Sequence, residues 1–490
     1  MKRLLLGCAF VVVGCSSSNF EVEDASVEDS STTTETSADS SPVLDSMVDD
    51  VTTTDGASEA TVDAPIDAGP PCSTLDKPNP SAVFVSVGAG NDGTGDGSAL
   101  APVKTIAKGV LLAKAKAAPV IVLDQGTYPE PVQLVDLDNG LVVQGGWKRV
   151  GAVWTHVCDA GARDLTLVQS PAAVGVYVQN AKKRSGLEHL TVATRATAEA
   201  GQTLIGVAVR GQSLFYLDDV VVLASKGGDG APTPGTGTPA APTCNGITGC
   251  TTAGLTGLAG APGGAVAGTF FIDGYKAGDG NDGIVGGNGS NGTPGSTGAS
   301  SAANECNWGC SGSSGCDSGL KTTVVGGTGT CGCGGVGGPS GKGGRGGGAS
   351  LGLFVHGAMA VVDVTRSNLT ASDGGAGQNG GVGAAPSAPT SGFAGDPKPC
   401  NYSGCTGTVS ACYYAGTPKS IAGGAAGGTG RPGGKGGDGA GGAGGPSYAL
   451  VQVAGGTATV DGPSKLSHGN GGAAGSGAAA GDAANRKTVP

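Results

Sequence analysis

Glycine constrains this chain more than any other residue: 98 of its 490 positions carry no side chain, many of them in runs such as Gly334 to Gly348 and Gly433 to Gly445. A thick core is out of reach, because aromatic residues make up only 4% of the sequence. Any large folded body must rest on narrow ladders of Val, Leu, Ile and Ala, or on backbone hydrogen bonding. A collagen triple helix would need glycine at every third position throughout, and no such period runs through the sequence. Packed, extended polyglycine helices need glycine wherever neighbours touch, for the same steric reason.

The first 71 residues read as an address and a tether. Lys2 and Arg3 precede an apolar run, Leu4 to Val13, that is too short to span a bilayer, and Gly14-Cys15 follows it. Val12-Val13-Gly14-Cys15 resembles the lipobox of bacterial lipoproteins, which implies a signal peptide over 1–15, a lipidated Cys15 and a place at the outer membrane or cell surface. Leu6-Gly7-Cys8 leaves too short an apolar region for the same processing, and a buried N-terminal strand is the structural alternative. Ser16 after the cysteine resembles the outer-membrane sorting pattern of enterobacterial lipoproteins. Residues 16–71 are rich in Ser, Thr, Asp and Glu and too poor in apolar side chains to offset chain entropy. A disordered acidic tether spanning about 40 Å is expected there. No later stretch is long and apolar enough to cross a membrane, so the lipid is the expected anchor.

Charge and cysteine usage follow from this division. Between Glu21 and Asp67 lie 14 acidic residues and no Lys or Arg, so the net charge of -11 belongs mostly to the tether. The body is near neutral, which argues against a nucleic-acid partner. Of 14 cysteines, Cys8 leaves with the signal and Cys15 takes the lipid. The rest are Cys72, Cys158, Cys244, Cys250, Cys306, Cys310, Cys316, Cys331, Cys333, Cys400, Cys405 and Cys412, an even set that reads as disulfides in an oxidising compartment. Zinc is the competing reading at Cys306, Cys310 and Cys316, but the spacing is irregular and no His is near. Connectivity is not legible, although the clustering favours local staples.

Past Cys72 the pattern turns to strands. Ala82 to Val87 alternates, Gly88 to Ala101 is a Gly/Asp loop, and Val103 to Ala117 is helical, with Val103, Ile106, Val110, Ala113 and Ala117 on one face. Val120-Ile121-Val122-Leu123, Val132-Gln133-Leu134-Val135 and Leu141-Val142-Val143-Gln144 follow as strands. Val83 to Val87, Asn91-Asp92-Gly93-Thr94-Gly95, Pro102, Thr105-Ile106 and Gly126-Thr127-Tyr128 together resemble the opening segment of right-handed parallel β-helix proteins of the pectate-lyase-like superfamily. That segment is a domain of unknown function which caps the helix before its first coils. Gly145-Gly146-Trp147 and Trp154 look like its continuation in Gly-rich secreted proteins. The resemblance covers residues 82 to 155 and implies a fold, not an activity.

Repeats point the same way. Gly206 to Gly211, Gly352 to Gly357 and Leu450 to Gly455 each precede a second strand-like run. Those runs lead into Leu223 to Gly228, Leu369 to Gly375 and Leu466 to Gly472. Strand, turn, strand and an exit into glycine make a unit that must stack on copies of itself to bury its apolar face. The expected fold is therefore all-β, a right-handed parallel β-helix with an N-terminal capping helix and long Gly-rich, disulfide-stapled inserts. Its parts are 72–226, an insert 227–348, a coil 349–373, an insert 374–446, a final coil 447–476 and a disordered tail 477–490. The inserts resemble mycobacterial Gly-rich repeat proteins and a small disulfide-stapled arthropod antifreeze protein in composition.

No catalytic constellation stands out. Polysaccharide cleavage needs paired carboxylates or a calcium-activated base. Asp218-Asp219 is the best acidic pair, yet neighbouring strand residues point to opposite faces. His356-Gly357 lacks catalytic partners, and the four His are scattered. No cofactor is expected, with calcium the candidate set against a plain Gly/Asp turn: Ala277 to Val285, with Asp279 and Asp282, resembles the nine-residue calcium β-roll repeat. The next nine residues replace a ligand Asp with Asn291, and calcium wants six or more oxygens. The expected role is a non-catalytic scaffold or adhesion module for glycans or cell-surface partners. The alternative is a polysaccharide lyase or hydrolase, and binding of ice or another flat surface is a third class.

Overall fold

The computed structural model describes residues 77–138, 140–157, 161–233, 235, 237–242, 255–300, 324–399 and 420–490. Cys15, the tether, and Cys72, Cys158, Cys244, Cys250, Cys306, Cys310, Cys316, Cys400, Cys405 and Cys412 lie outside those residues. The described part is mostly strands in parallel sheets, with one α-helix and no helix long and apolar enough to cross a membrane.

The N-terminal end forms as its sequence suggests. After β1 (Val83–Val85) the Gly/Asp loop returns so that the Asp92 carboxylate accepts from the Lys104 and Thr105 amides at 2.7 and 3.0 Å. Thr105 is the N-cap of α1 (Ile106–Lys116), its hydroxyl accepting from the Lys108 amide. The helix buries Ile106, Gly109, Val110 and Ala113 and stops at Ala117, which is left-handed at φ 49°. Val103, expected on the helical face, bridges Val85 instead. Glu130 reaches back from beyond the next strands to accept from the Ile106 and Ala107 amides, satisfying two donors that a helix start leaves open.

Next come β2 (Val120–Asp124), β3 (Gly126–Tyr128), β4 (Val132–Val135), β5 (Val142–Val150), β6 (Val153–His156), β7 (Thr166–Gln169) and β8 (Val174–Gln179). They are followed by β9 (Ser185–Ala193), β10 (Leu204–Arg210), β11 (Ser213–Ala224), and a hairpin of β12 (Thr269–Phe271) and β13 (Gly274–Lys276). Then come β14 (Ser350–His356), β15 (Ala360–Thr365), β16 (Asn368–Ala371) and a two-residue pair, β17 (Lys398–Pro399) with β18 (Ser420–Ile421). The last strands are β19 (Ser447–Val453), β20 (Thr457–Val460), β21 (Lys465–Ser467) and β22 (Ala483–Val489).

The chain alternates between two parallel sheets. One has the order β22-β19-β14-β10-β8-β4. The other has two rows joined through the long strands β9 and β11, one row continuing into β15 and β20 and the other into β16 and β21. Three ladders of buried side chains line the interior. Val176, Val207, Leu353 and Leu450 are aligned on the first sheet. Val143, Leu187, Leu217 and Val364 are aligned on one row of the second, and Val168, Val192, Val222 and Leu369 on the other. Each such side chain contributes about 1.5–3 kcal/mol by leaving water, so a core one residue thick suffices if it is repeated.

The copies align slightly differently from their sequence match. Leu353 lies opposite Leu450, so Gly352 faces Ala449, and Leu369 lies opposite Val222, not Leu223. A one-residue slip exchanges the faces of a strand, and burial of the ladders fixes the choice. The tail also differs from expectation. Residues 477–490 were expected to be disordered, but β22 pairs in parallel with β19 along its whole length. Ala484 and Val489 pack against the outer apolar cluster, and Asp482 accepts from Tyr448 Oη at 2.7 Å.

The glycine segments are ordered by a different rule. The amides of Gly335, Gly338, Gly341, Gly344 and Gly347 donate to the carbonyls of Arg431, Gly434, Gly437, Ala440 and Ala443. The amides of Gly280, Gly283, Gly286, Gly289 and Gly292 donate, in the antiparallel sense, to Gly344, Gly341, Gly338, Gly335 and Gly332. Bonds at every third residue, all to neighbouring segments, are the pattern of extended three-residue helices of polyproline type. Here the whole-chain view of glycine spacing is corrected. A three-residue period does run within segments, from Gly280 to Gly298, from Gly326 to Gly347 and from Gly424 to Gly445. Segment 424–445 is central and bonds to 255–264, 278–298, 326–347, 374–395 and Gly475. A Cβ on its Gly437 would collide with the Ala261 carbonyl. Cys331 and Cys333, nearly buried in this bundle, are both disulfide-bonded.

Candidate functional site

The two rows of the larger sheet meet at a corner built from left-handed residues. His189 of β9, Asp219 of β11 and Arg366 between β15 and β16 each follow the aligned residues Glu188, Asp218 and Thr365, with φ of 52°, 52° and 49°. The left-handed turn breaks strand alternation, so the expectation that Asp218 and Asp219 face apart fails: both join one polar cluster. The Arg366 guanidinium grips Asp218 as a fork, Nε to Oδ1 at 3.0 Å and Nη2 to Oδ2 at 2.7 Å. Asp219 receives Arg163 Nη1 and pairs with His189 Nδ1, each at 3.0 Å. Asp461 closes the far side, accepting from the Arg366 amide.

The electrostatics follow from these partners. Burial pushes the Asp219 carboxyl up, but the His189 hydrogen bond and the charges of His189, Arg163 and Arg366 outweigh it and hold its pKa below the usual range. His156 packs edge-on against His189, ring centres 4.8 Å apart, and against Trp147 at 4.9 Å. Burial, then the neighbouring His189, lowers its pKa to about 4, so it stays neutral at physiological pH.

A second carboxylate lies on the same face. Glu188 is directly opposite Asp218 on the adjacent parallel strand, at the strand spacing of about 4.8 Å. It accepts from Tyr216 Oη at 2.6 Å and from Gln144 Nε2 at 2.9 Å, and Gln144 is held in turn by Trp147 Nε1 at 3.0 Å. Burial and the bond to Glu188 keep Tyr216 protonated well above its ordinary range. Sequence reading missed Glu188 because cross-strand partners are thirty residues apart and nothing local marks them. The nearby cavity lined by Arg184, Leu214, Phe215, Val361 and Asp363 holds about 90 Å³, well under the ~300 Å³ lower end of small-molecule sites.

Asp279 and Asp282 do a structural job. Their Oδ1 atoms accept from the Gly346 and Gly343 amides at 2.9 and 2.8 Å, and their Oδ2 atoms bind Arg345 and Lys342 at 2.6 and 2.7 Å. Asn288 and Asn291 repeat the amide contact with Gly337 and Gly334. These side chains thus form rungs, spaced in multiples of three, that satisfy amides of the facing segment. Among the described residues no three His, Cys, Asp or Glu side chains gather as a metal site.

The outer face of the six-stranded sheet gathers aromatic residues in a chain that has few. Phe270 of the hairpin lies 6.5 Å from Phe354, 5.3 Å from Tyr275 and 6.2 Å from Tyr448, measured between ring centres. Arg210 sits 4.9 Å over the Tyr177 ring and donates to Asp273 at the hairpin turn at 2.8 Å. His356 is aligned with Arg210 on the next strand and is half-buried beside Phe354. Phe354 and Tyr448 are buried beneath Phe270 and Tyr275, so these rings form a second apolar cluster that seats the hairpin on the sheet. No family model, curated protein or solved structure matches the chain.

Proposed function

We propose that the chain is an exported lipoprotein whose right-handed parallel β-helix serves as a non-catalytic recognition or adhesion module for glycans or cell-surface partners. The observation that supports this best is the state of the acid pair: Asp218 is forked by Arg366, and Asp219 is bound by Arg163 and His189. A general acid or base must exchange a proton with substrate, and carboxylates committed to guanidinium groups are poor at it. The lipid anchor and the disulfide framework belong to the same proposal. Mass spectrometry of the mature N-terminus should find a lipidated Cys15, and thiol titration of the denatured exported protein should find essentially no free thiol.

A polysaccharide lyase or hydrolase is the second reading, favoured by Glu188 facing Asp218 on one surface. One experiment separates the two. Purified protein is incubated with pectic, chitinous and matrix polysaccharides, with and without calcium. Retention without product supports recognition. New reducing ends or unsaturated products, lost in Glu188→Gln or Asp218→Asn, would establish the enzyme.

A further inference from the structure

Where the hairpin meets the glycine bundle, a cavity of about 430 Å³ opens between Ala200-Gly201, Tyr275-Lys276 and Arg345-Gly346. Its volume lies within the ~300–1,000 Å³ of small-molecule sites. Small residues form much of its lining, so a flat ring can approach the backbone closely. The polar groups are unequal in sign. Asp279 takes one guanidinium nitrogen of Arg345 at 2.6 Å and spends its other oxygen on the Gly346 amide. Arg345 is thereby oriented, with its remaining donors uncommitted among the described residues. Lys276 makes no ion pair with any described residue. Two cations therefore face one carboxylate that is already engaged.

We propose that this cavity binds one acidic sugar unit, with Lys276 and Arg345 holding its anionic group. The proposal rests on the glycan-recognition reading and gives it a place and a ligand class. The anionic group is a carboxylate or a sulfate ester, since either accepts from an ammonium and a guanidinium together. The place is set by the fold: Tyr275 and Lys276 come from the hairpin, Asp279 follows it, and Arg345 arrives nearly seventy residues later on the antiparallel segment. The Asp279–Arg345 rung thus both closes the bundle and aims the cation.

The test is an equilibrium titration of the full exported chain with glucuronate, glucose 6-sulfate and glucose, read by ligand-observed NMR. At least one acid should bind roughly tenfold more tightly than glucose, and which acid does so identifies the anionic group. Lys276→Ala should weaken that acid roughly tenfold, with glucose unchanged. Lys276 is exposed, so its removal should leave the melting temperature intact and keep the result interpretable. Equal binding of glucose and both acids, or an acid affinity untouched by Lys276→Ala, would overturn the proposal. If Lys276→Ala still retains the polysaccharides of the preceding experiment, glycan recognition stands and this site falls. If the parent chain retains none of them, the recognition reading itself falls.

Discussion

The strand stack and the glycine bundle bury the same chain by opposite means. In the stack, side chains do the work: Leu353, Leu217 and Val222 are fully buried in aligned ladders, and the backbone pairs at strand spacing. In the bundle, the absence of side chains does it. Segments approach until amides such as Gly338 and Gly341 reach carbonyls across the gap at 2.9 and 2.8 Å, and substituents point outward at Lys342 and Lys435. The stack thus tolerates exchange of one apolar residue for another of like volume, whereas the bundle tolerates almost nothing at its contact positions. One chain can hold both because the strands lead directly into glycine: Ser350 follows Gly348 by two residues, and Ser447 follows Gly445 by two.

Substitution at the bundle centre should have the largest effect. Gly437→Val places a branched side chain against the Ala261 carbonyl and should cost about 4 kcal/mol or more, among the largest single-residue losses. Hydrogen exchange should show lost protection at the bundle glycines with the strand amides unchanged. If the strands lose protection equally, the two regions fold as one unit and the contrast drawn here is wrong.

Leu353→Ala is the converse, removing a fully buried side chain from the stack, with an expected loss of about 3 kcal/mol in denaturant unfolding. Protection should fall in β10, β14 and β19 first. Acidification sharpens the comparison further. The folded pKa of His156 is lowered to about 4 from 6.5, so between those values the unfolded chain binds more protons. Stability from this group is complete above pH 6.5 and declines as pH falls toward 4. Asp219, depressed by its partners, continues that loss below its ordinary range. The stack should therefore lose several degrees of melting temperature on acidification to pH 4, and His156→Phe should flatten the upper part of that slope. The smallest effect belongs to the bundle rungs. Asp282→Ala removes an exposed ion pair and one amide contact and should cost no more than about 1 kcal/mol, diminishing with added salt.

Much of the stack was legible beforehand. The helix within Val103 to Ala117, the strands near Val120 and Val132, and the recurrence of strand pairs at Gly206, Gly352 and Leu450 all follow from local periodicity, which burial merely enforces and, for the helix, trims to Ile106–Lys116. The acid cluster was not legible. Asp219 leaves strand geometry at a left-handed corner, and Glu188 meets Asp218 only through a register that the buried ladders impose. The bundle period was present in the letters but hidden: its phase shifts from segment to segment, so a search over the whole chain averages it away.

The sequence by itself determined that the core would be thin, that apolar residues would recur in alternating runs, and that glycine would sit wherever segments touch. These are properties of side-chain volume and spacing, and neighbours a few residues apart carry them. Only the tertiary structure decided which carboxylates share a face, that Asp279 and Asp282 serve as rungs, and that residues 483–489 form a last strand. Each of those depends on contacts between residues distant in the chain, whose free energy is realised only when closure has already brought them together.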